Sequence, residues 1–153
     1  MIRDIRPKAF AITELFLDLV HAARAYAGDD LETALIFCSI NEATMRPLLL
    51  DPKTPAEAKL MPKAPEEYRG SISMLLVAER VGLPRETVRR KTKALIKAGL
   101  VFEDEDGRVR AEPMLMTPVA QKVVKDSFAA VRRYDKRLRQ LGVGGVGRAS
   151  KDE

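Results

Sequence analysis

The sequence is poor in reactive side chains: among 153 residues it has one cysteine, one histidine and no tryptophan, and only 5% of its residues are aromatic. A single cysteine excludes a disulfide within the chain. Cys38 falls in an apolar helical stripe, which favours an inert buried thiol over a redox sensor. His21 has no partner at metal-ligand spacing, so we interpret it as a packing or surface residue.

Membrane and secretion signals are also missing from the sequence. Asp4 and Arg6 stand close to its start, and no apolar run approaches the length of about 18 residues that indicates a membrane helix. We therefore expect a cytoplasmic protein without a membrane partner.

No residue pattern typical of an enzyme is visible. The sequence has no Walker loop, no zinc-ligand spacing, no nucleophile paired with a base and no carboxylate dyad. Residues 142–147 satisfy the pattern G-x-G-x-x-G, but they follow a predicted helix instead of a strand, so we predict a flexible tail over residues 142–153. We expect no catalytic residue, no cofactor and no metal.

The most informative segment is Val77–Val101, which has the pattern of two short helices joined by a tight turn. Gly82 suits a positive φ at the end of the first helix, and Pro84 suits the start of the second. We predict that this second helix spans residues 84–98. One of its sides should face the core at 3.6-residue spacing: Val88, Thr92, Leu95 and Gly99.

The opposite side of the predicted helix is strongly basic. Its segment contains one anion, Glu86, and six cations: Arg85, Arg89, Arg90, Lys91, Lys93 and Lys97. The formal net charge of the whole chain, +5, equals the excess of this segment alone. A solvated helix face usually mixes both signs, so the bias favours contact with a polyanion.

A β-hairpin should follow the basic helix. Two extended runs flank Asp106-Gly107, a dipeptide typical of two-residue turns in which both residues take a positive φ. Ser71–Ser73 is short and β-prone enough to be a third strand. The tip of the hairpin, Glu103–Asp106, carries four carboxylates that phosphate would repel, so we expect it not to enter a minor groove.

Residues 71–112 resemble the winged helix-turn-helix of bacterial transcription regulators, as in the MarR and IclR families. The matching stretches are Val77-Ala78-Glu79, Gly82-Leu83-Pro84, Thr87-Val88-Arg89-Arg90, Leu95–Val101 and Asp106–Val109. The resemblance implies that the start of the second helix reads base edges in the major groove. It places the following residues on DNA: Arg85, Glu86, Thr87, Arg89 and Arg90. Lys93 lies on the same basic side, and Arg108 and Arg110 could reach the DNA backbone from the wing.

Helical patterns flank this region, so we predict a mainly α fold with a small β-wing. Residues 1–50 should form two helices, the first with an apolar stripe that ends at Gly28: Ile12, Leu15, Phe16, Leu19, Val20, Ala23 and Tyr26. A capping box at Asp29-x-x-Glu32 should open the second, whose apolar residues include Leu35, Cys38, Met45 and Leu49, with Ile36 and Ile40 widening the stripe. The prolines of residues 51–70 predict an irregular surface connection.

Thr117-Pro118 should cap a long helix within residues 113–141. Its apolar stripe is Val119, Val123, Val124, Ala130, Val131, Tyr134, Leu138 and Leu141. Because such stripes exceed what a small DNA-binding domain needs, we expect a homodimer; the alternative is that they close the core of a monomer. A second basic cluster consists of Arg132, Arg133, Lys136, Arg137 and Arg139. It is interpreted as a solubilising face in preference to a phosphate contact.

These patterns predict a sequence-specific, DNA-binding transcription regulator that uses double-stranded DNA as its partner. The alternative is a winged-helix protein-interaction module that does not bind DNA, which the acidic wing tip and the acidic N-terminal half favour. A small-molecule effector is compatible with the first hypothesis, but the sequence does not locate a pocket for it.

Overall fold

Six α-helices and one short antiparallel hairpin make up the described part of the protein. The computed structural model describes residues 2–144, so the predicted tail lies outside the described residues from 145 onward. The helices are α1 (Ile2–Ala27), α2 (Leu31–Leu50), α3 (Ala56–Leu60), α4 (Met74–Val81), α5 (Arg85–Lys97) and α6 (Pro118–Gln140), and the strands are β1 (Val101–Glu103) and β2 (Val109–Ala111). The expectation of a mainly α chain with a small β element is confirmed.

Helix α2 lies at the centre, and only part of its predicted apolar stripe is buried: Ile36 and Ile40 face the core as predicted. Leu35, Cys38 and Leu49 are exposed. The buried residues are Ala34, Ile36, Phe37, Ile40, Thr44 and Leu48. The helix is apolar on most of its circumference, so periodicity alone does not determine which side faces the core.

Asp30, and not Asp29, caps the start of α2. The Asp30 carboxylate accepts hydrogen bonds from the backbone nitrogen of Thr33 at 3.2 Å and from its hydroxyl at 2.7 Å. The predicted capping box with Glu32 is therefore wrong by one residue, because the chain offers a better hydrogen-bond partner three positions after Asp30. Gly28 ends α1 as predicted, with φ of 60°.

A three-residue turn joins α4 to α5. Gly82 ends α4 in the left-handed region with φ of 69°, and the backbone nitrogens of Gly82 and Leu83 both donate to the carbonyl of Ala78. Pro84 precedes α5 as its N-cap residue, so the helix begins one residue later than predicted and ends one residue earlier. Val88, Thr92 and Leu95 are buried as predicted, whereas Gly99 lies beyond the helix and is exposed.

The hairpin pairs Val101 with Ala111 and Glu103 with Val109, and its turn differs from the prediction. Only Gly107 has a positive φ, 75°; a four-residue turn is closed by the hydrogen bond from Gly107 N to Asp104 O at 3.1 Å. The Asp104 side chain accepts from Asp106 N and Arg108 N, both at 3.0 Å, which favours this longer turn.

The predicted third strand is reduced to a single bridge. Ile72 exchanges two backbone hydrogen bonds with Val109, at 3.0 and 2.8 Å. The core of this region joins α2, Ile72, α4, α5 and the hairpin through these buried residues: Ile36, Phe37, Ile40, Ile72, Val77, Ala78, Val88, Leu95, Val101, Val109 and Ala111.

Helices α1 and α6 lie antiparallel against each other, because Glu14 contacts Arg137 while Asp18 contacts Arg133. The small core between them consists of Ala11, Leu138 and Val143, with Tyr134 packed beside it. Most of the large apolar residues of the two predicted stripes stay exposed. The exposed ones are Ile12, Phe16, Leu19, Val119, Val124, Val131 and Leu141.

The connection over residues 51–70 contains α3 and a 3₁₀ turn at Glu66–Tyr68 and, as predicted, no long regular element. It is more than a surface linker, because Thr54, Ala58 and Arg69 are buried. Gly70 N donates to Thr44 O at 2.9 Å, and a methyl group at Gly70 would overlap the carbonyl of Ala43. Within residues 2–144, no helix combines the length and hydropathy that crossing a membrane requires.

Candidate nucleic-acid interface

The outward side of α5 presents a row of cations. Val88, Thr92 and Leu95 fix the rotation of the helix against the core, and the helix spacing then turns the following exposed residues to solvent: Arg85, Glu86, Arg89, Arg90, Lys93 and Lys97. Thr87 is half-buried at the edge of this row. Among the described residues, Arg85, Arg90, Lys93 and Lys97 have neither a hydrogen bond nor an ion pair through their side chains.

Glu86 and Arg89 form a two-pronged ion pair on this surface. Arg89 Nε donates to one Glu86 oxygen at 3.0 Å and Arg89 Nη2 to the other at 2.6 Å. The hydrogen bond from Arg89 lowers the pKa of Glu86, so that carboxylate is charged at neutral pH. The pair is fully exposed, and Arg89 can therefore exchange Glu86 for another acceptor at little cost.

Lys91 is largely covered by the protein, although its charge suggested an outward position with the other cations of α5. Its ammonium donates to Asp30, the cap of α2, at 2.5 Å, and only 14% of its side chain is exposed. This hydrogen bond is the main reason that the pKa of Asp30 falls to about 2. Lys91 thus ties α5 to the start of α2, and five of the six cations remain on the outward side. The sequence indicates this inward position only through the spacing of Lys91, which lies next to the buried side of α5 that Val88 and Thr92 define.

The hairpin arginines are held by the protein itself. Arg108 is exposed, but its guanidinium donates to the hydroxyl and the carbonyl of Ser71, both at 2.8 Å. Arg110 is largely covered; it donates to the carbonyl of Arg69 at 3.2 Å and lies 3.7 Å from Asp104. Both guanidinium groups are therefore already bound by acceptors of the protein itself.

The tip of the hairpin keeps three outward carboxylates. Asp104 is half-buried and shapes the turn, whereas Glu103, Glu105 and Asp106 are exposed. The tip of the hairpin is therefore negatively charged, in contrast to the outward side of α5.

Most of the second basic cluster forms ion pairs within the protein, which the sequence did not predict. Arg137 donates to Glu14 at 2.7 Å and Arg133 to Asp18 at 3.2 Å, which joins α6 to α1. Arg139 pairs with Asp135 at 2.7 Å. The acidic residues of α1 at i and i+4 were the available signal, because they match arginines at the same spacing on α6.

Neither Cys38 nor His21 lies in an arrangement typical of a redox or metal-binding site. The prediction that Cys38 is buried is wrong, because the residue is exposed on α2; partial desolvation of its sulfur nevertheless raises the pKa of the thiol. His21 is exposed on α1. Over residues 2–144, no three His, Cys, Asp or Glu side chains come together as a set that could hold a metal ion.

Comparisons with models of protein families, with curated proteins and with solved structures give no match. The assignment of a function to this chain therefore depends on the geometry of α5 and its surroundings.

Proposed function

We propose that the protein is a sequence-specific, DNA-binding transcription regulator with a winged helix-turn-helix, in which α5 enters the major groove. The observation that carries the proposal is the outward face of α5, where the side chains of four cations make no hydrogen bond or close ion pair with the described residues. Buried Val88 and Leu95 and the Lys91–Asp30 pair hold that face rigidly outward. A rigid, unpaired cationic helix beside a glycine turn supports groove binding over simple solubility.

The exposed residues of α5 contact different parts of the DNA, according to their position along the helix. Arg90, Lys93 and Lys97 neutralise phosphates, and Arg85 at the first turn contacts a base edge or the backbone. Arg89 donates to the acceptor pair of guanine, while Glu86 accepts from the amino group of cytosine. When DNA binds, Arg89 releases Glu86 at little cost, because the ion pair between them is exposed. Thr87 contacts DNA from the edge of the face.

The hairpin acts as the wing, with its shaft near the DNA backbone and its acidic tip outside the minor groove. Arg108 faces solvent and exchanges Ser71 for a phosphate. Arg110 positions the wing through Arg69 and Asp104 instead of contacting DNA.

The active form is a homodimer that pairs through α1 and α6. The two helices contact each other around Ala11 and through ion pairs. Phe16 and Phe128 remain exposed, at 59% and 60%. Large exposed apolar side chains favour a protein interface. A two-fold axis there would set two copies of α5 on successive turns of DNA, about 34 Å apart.

The alternative is a winged-helix module that binds a protein and no DNA. The three outward carboxylates at the hairpin tip favour it, because they weaken the approach of phosphate. The two functions differ in one property: only the first gives binding that depends on the DNA sequence and falls steeply with salt.

The test is binding of the purified protein to duplex DNA from immediately upstream of its own gene, against a scrambled duplex, at 50 and 200 mM salt. We expect preference for the native duplex and a loss of affinity of about 10²-fold for every four phosphates engaged. Weak and equal binding to both duplexes, repeated with a genomic fragment pool, would contradict the proposal and favour the protein-interaction module.

Two arginine substitutions locate the contacts. Arg89→Ala should weaken specific binding by about 1 to 3 kcal/mol and relax the choice of base, because it removes a base contact. Arg90→Ala should weaken binding to both duplexes alike and reduce the salt slope by about 1. Lys53→Ala is the matched control: this lysine is exposed in the connection over residues 51–70, outside both α5 and the proposed dimer surface, and its removal should leave both affinities unchanged.

A further inference from the structure

A cavity of about 210 Å³ lies between α2, the connection over residues 51–70, the segment that follows β2, and the start of α6. Its floor includes the rings of Tyr26 and Phe37, whose centroids are 4.7 Å apart. Three methionines, Met45, Met61 and Met114, line it from three different parts of the chain. Methionine side chains adapt to the shape of an apolar ligand. The lining of this cavity therefore suits an apolar ligand better than it suits water.

Of the eighteen residues that line this cavity, six have polar side chains: Tyr26, Asn41, Thr44, Lys59, Arg69 and Glu112. Asn41 is half-buried on α2, and its side chain has no hydrogen-bond partner among the described residues. Lys59 lies at the mouth, where its ammonium makes only a long contact of 3.4 Å with the carbonyl of Leu49. Both can donate a hydrogen bond to a guest.

We propose that this cavity binds a compact aromatic molecule of about two fused rings that carries one hydrogen-bonding oxygen. An apolar cavity of about 150 Å³ is known to take benzene, so a volume of about 210 Å³ leaves room for a second fused ring. The aromatic floor and the methionines receive the ring system, and Asn41 receives the oxygen.

The cavity borders the hairpin through two direct contacts. Thr44 lines it and accepts a hydrogen bond from Ala111 N at 2.9 Å. Arg69 also lines it; its buried guanidinium pairs with Glu66 at 2.5 Å and donates to the carbonyl of Ala111. A ligand that shifts either residue therefore shifts β2. Only the consequence of that shift for DNA rests on the proposed function.

Methionine-methyl NMR on the full chain during a titration with 2-naphthol tests the site directly. We expect saturable shifts at Met45, Met61 and Met114 and at the Ala111 amide, with a Kd on the order of 0.1 mM for a ligand of this size. Met74, which packs on the central core, and exposed Met116 should not move. Shifts that grow linearly, or that include all five of these methionines, would overturn the proposal.

Two variants check the location. Ala64→Phe places a ring at a residue that lines the cavity and should raise the Kd at least tenfold, whereas Ala56→Phe, on the exposed side of α3, should leave it within twofold. If Ala64→Phe does not fold, Asn41→Leu replaces it: affinity for 2-naphthol should fall while affinity for naphthalene is kept. Equal Kd values across all these variants would overturn the site. The titration uses no DNA, so its failure leaves the proposed regulator function standing, and the reverse also holds.

Discussion

Helix α5 and the helical pair α1–α6 both carry many cations, but they use them in opposite ways. On α5 the apolar residues Val88 and Leu95 are buried and the cations point to solvent. In the α1–α6 pair, arginines of α6 bind acidic residues of α1, while Phe16 and Phe128 point to solvent. The apolar side of α5 is thus covered within its own chain, whereas the pair α1–α6 leaves large apolar side chains uncovered.

The same chemical change should therefore have opposite consequences in the two regions. Val88→Asp places an unpaired charge where no side-chain surface is exposed, and should lower the free energy of unfolding by about 4 kcal/mol or abolish folding. Urea denaturation followed by circular dichroism measures this. Ala94→Asp, on the exposed side of the same helix, should cost less than about 1 kcal/mol. Equal losses in the two variants would mean that α5 does not pack as described.

Phe16→Asp should leave the fold intact and weaken self-association. Removing a large exposed ring from the centre of an interface costs about 2 kcal/mol, which raises the dimer dissociation constant about 30-fold. Sedimentation velocity over a concentration series gives that constant. Ala25→Asp is the control, because it lies nine residues on and faces the opposite side of α1. A monomer at all concentrations before any substitution would refute the dimer.

Asp30→Asn should have the smallest effect and a defined pH window. Asparagine caps a helix as well as aspartate does, so the substitution keeps the cap and removes the attraction to Lys91 together with the hydrogen bond that the second oxygen accepts from the Thr33 hydroxyl. Because the pKa of Asp30 is about 2 when folded and 3.8 ordinarily, its contribution is complete above about pH 4 and disappears as the pH falls through 2. At pH 7 the loss should be about 1 kcal/mol, reduced by the 42% exposure of the carboxylate.

The comparison for Asp30 is its neighbour Asp29, whose side chain is 98% exposed and 4.0 Å from Arg24. Asp29→Asn should not change stability at any pH between 2 and 7. If Asp30→Asn and Asp29→Asn behave alike in acid denaturation curves, then Lys91 does not anchor α5.

Features with a local cause were predictable from the sequence. Gly82 needs a positive φ, and Thr117 accepts from Ala120 N and so caps α6 before Pro118; neither depends on distant residues. The buried side of α5 was predictable because its apolar residues recur at helical spacing on one side, while charged residues dominate the rest of the helix surface. The fold class was recoverable for the same reason.

Features that depend on distant partners were not predictable. Lys91 and Arg110 look like surface cations in the sequence, and only the positions of Asp30 and Asp104 make them internal. The turn of the hairpin was decided by the Asp104 side chain and not by Asp106-Gly107 alone. The cavity joins residues from Tyr26 to Val124, which no local pattern links. Helix α2 is apolar on too many sides for a pattern to choose among them.

The antiparallel pairing of α1 with α6 also sets an order of folding. The ion pairs between them join residues 115 and 123 positions apart, whereas α4, α5 and the hairpin contact neighbours in sequence. Local contacts form before distant ones, so the central region should fold first. During synthesis at about 5 to 20 residues per second, α1 waits roughly ten seconds for α6 to emerge. The side of α1 that packs around Ala11 is uncovered for that interval, so α1 reaches its final packing only after α6 has been made.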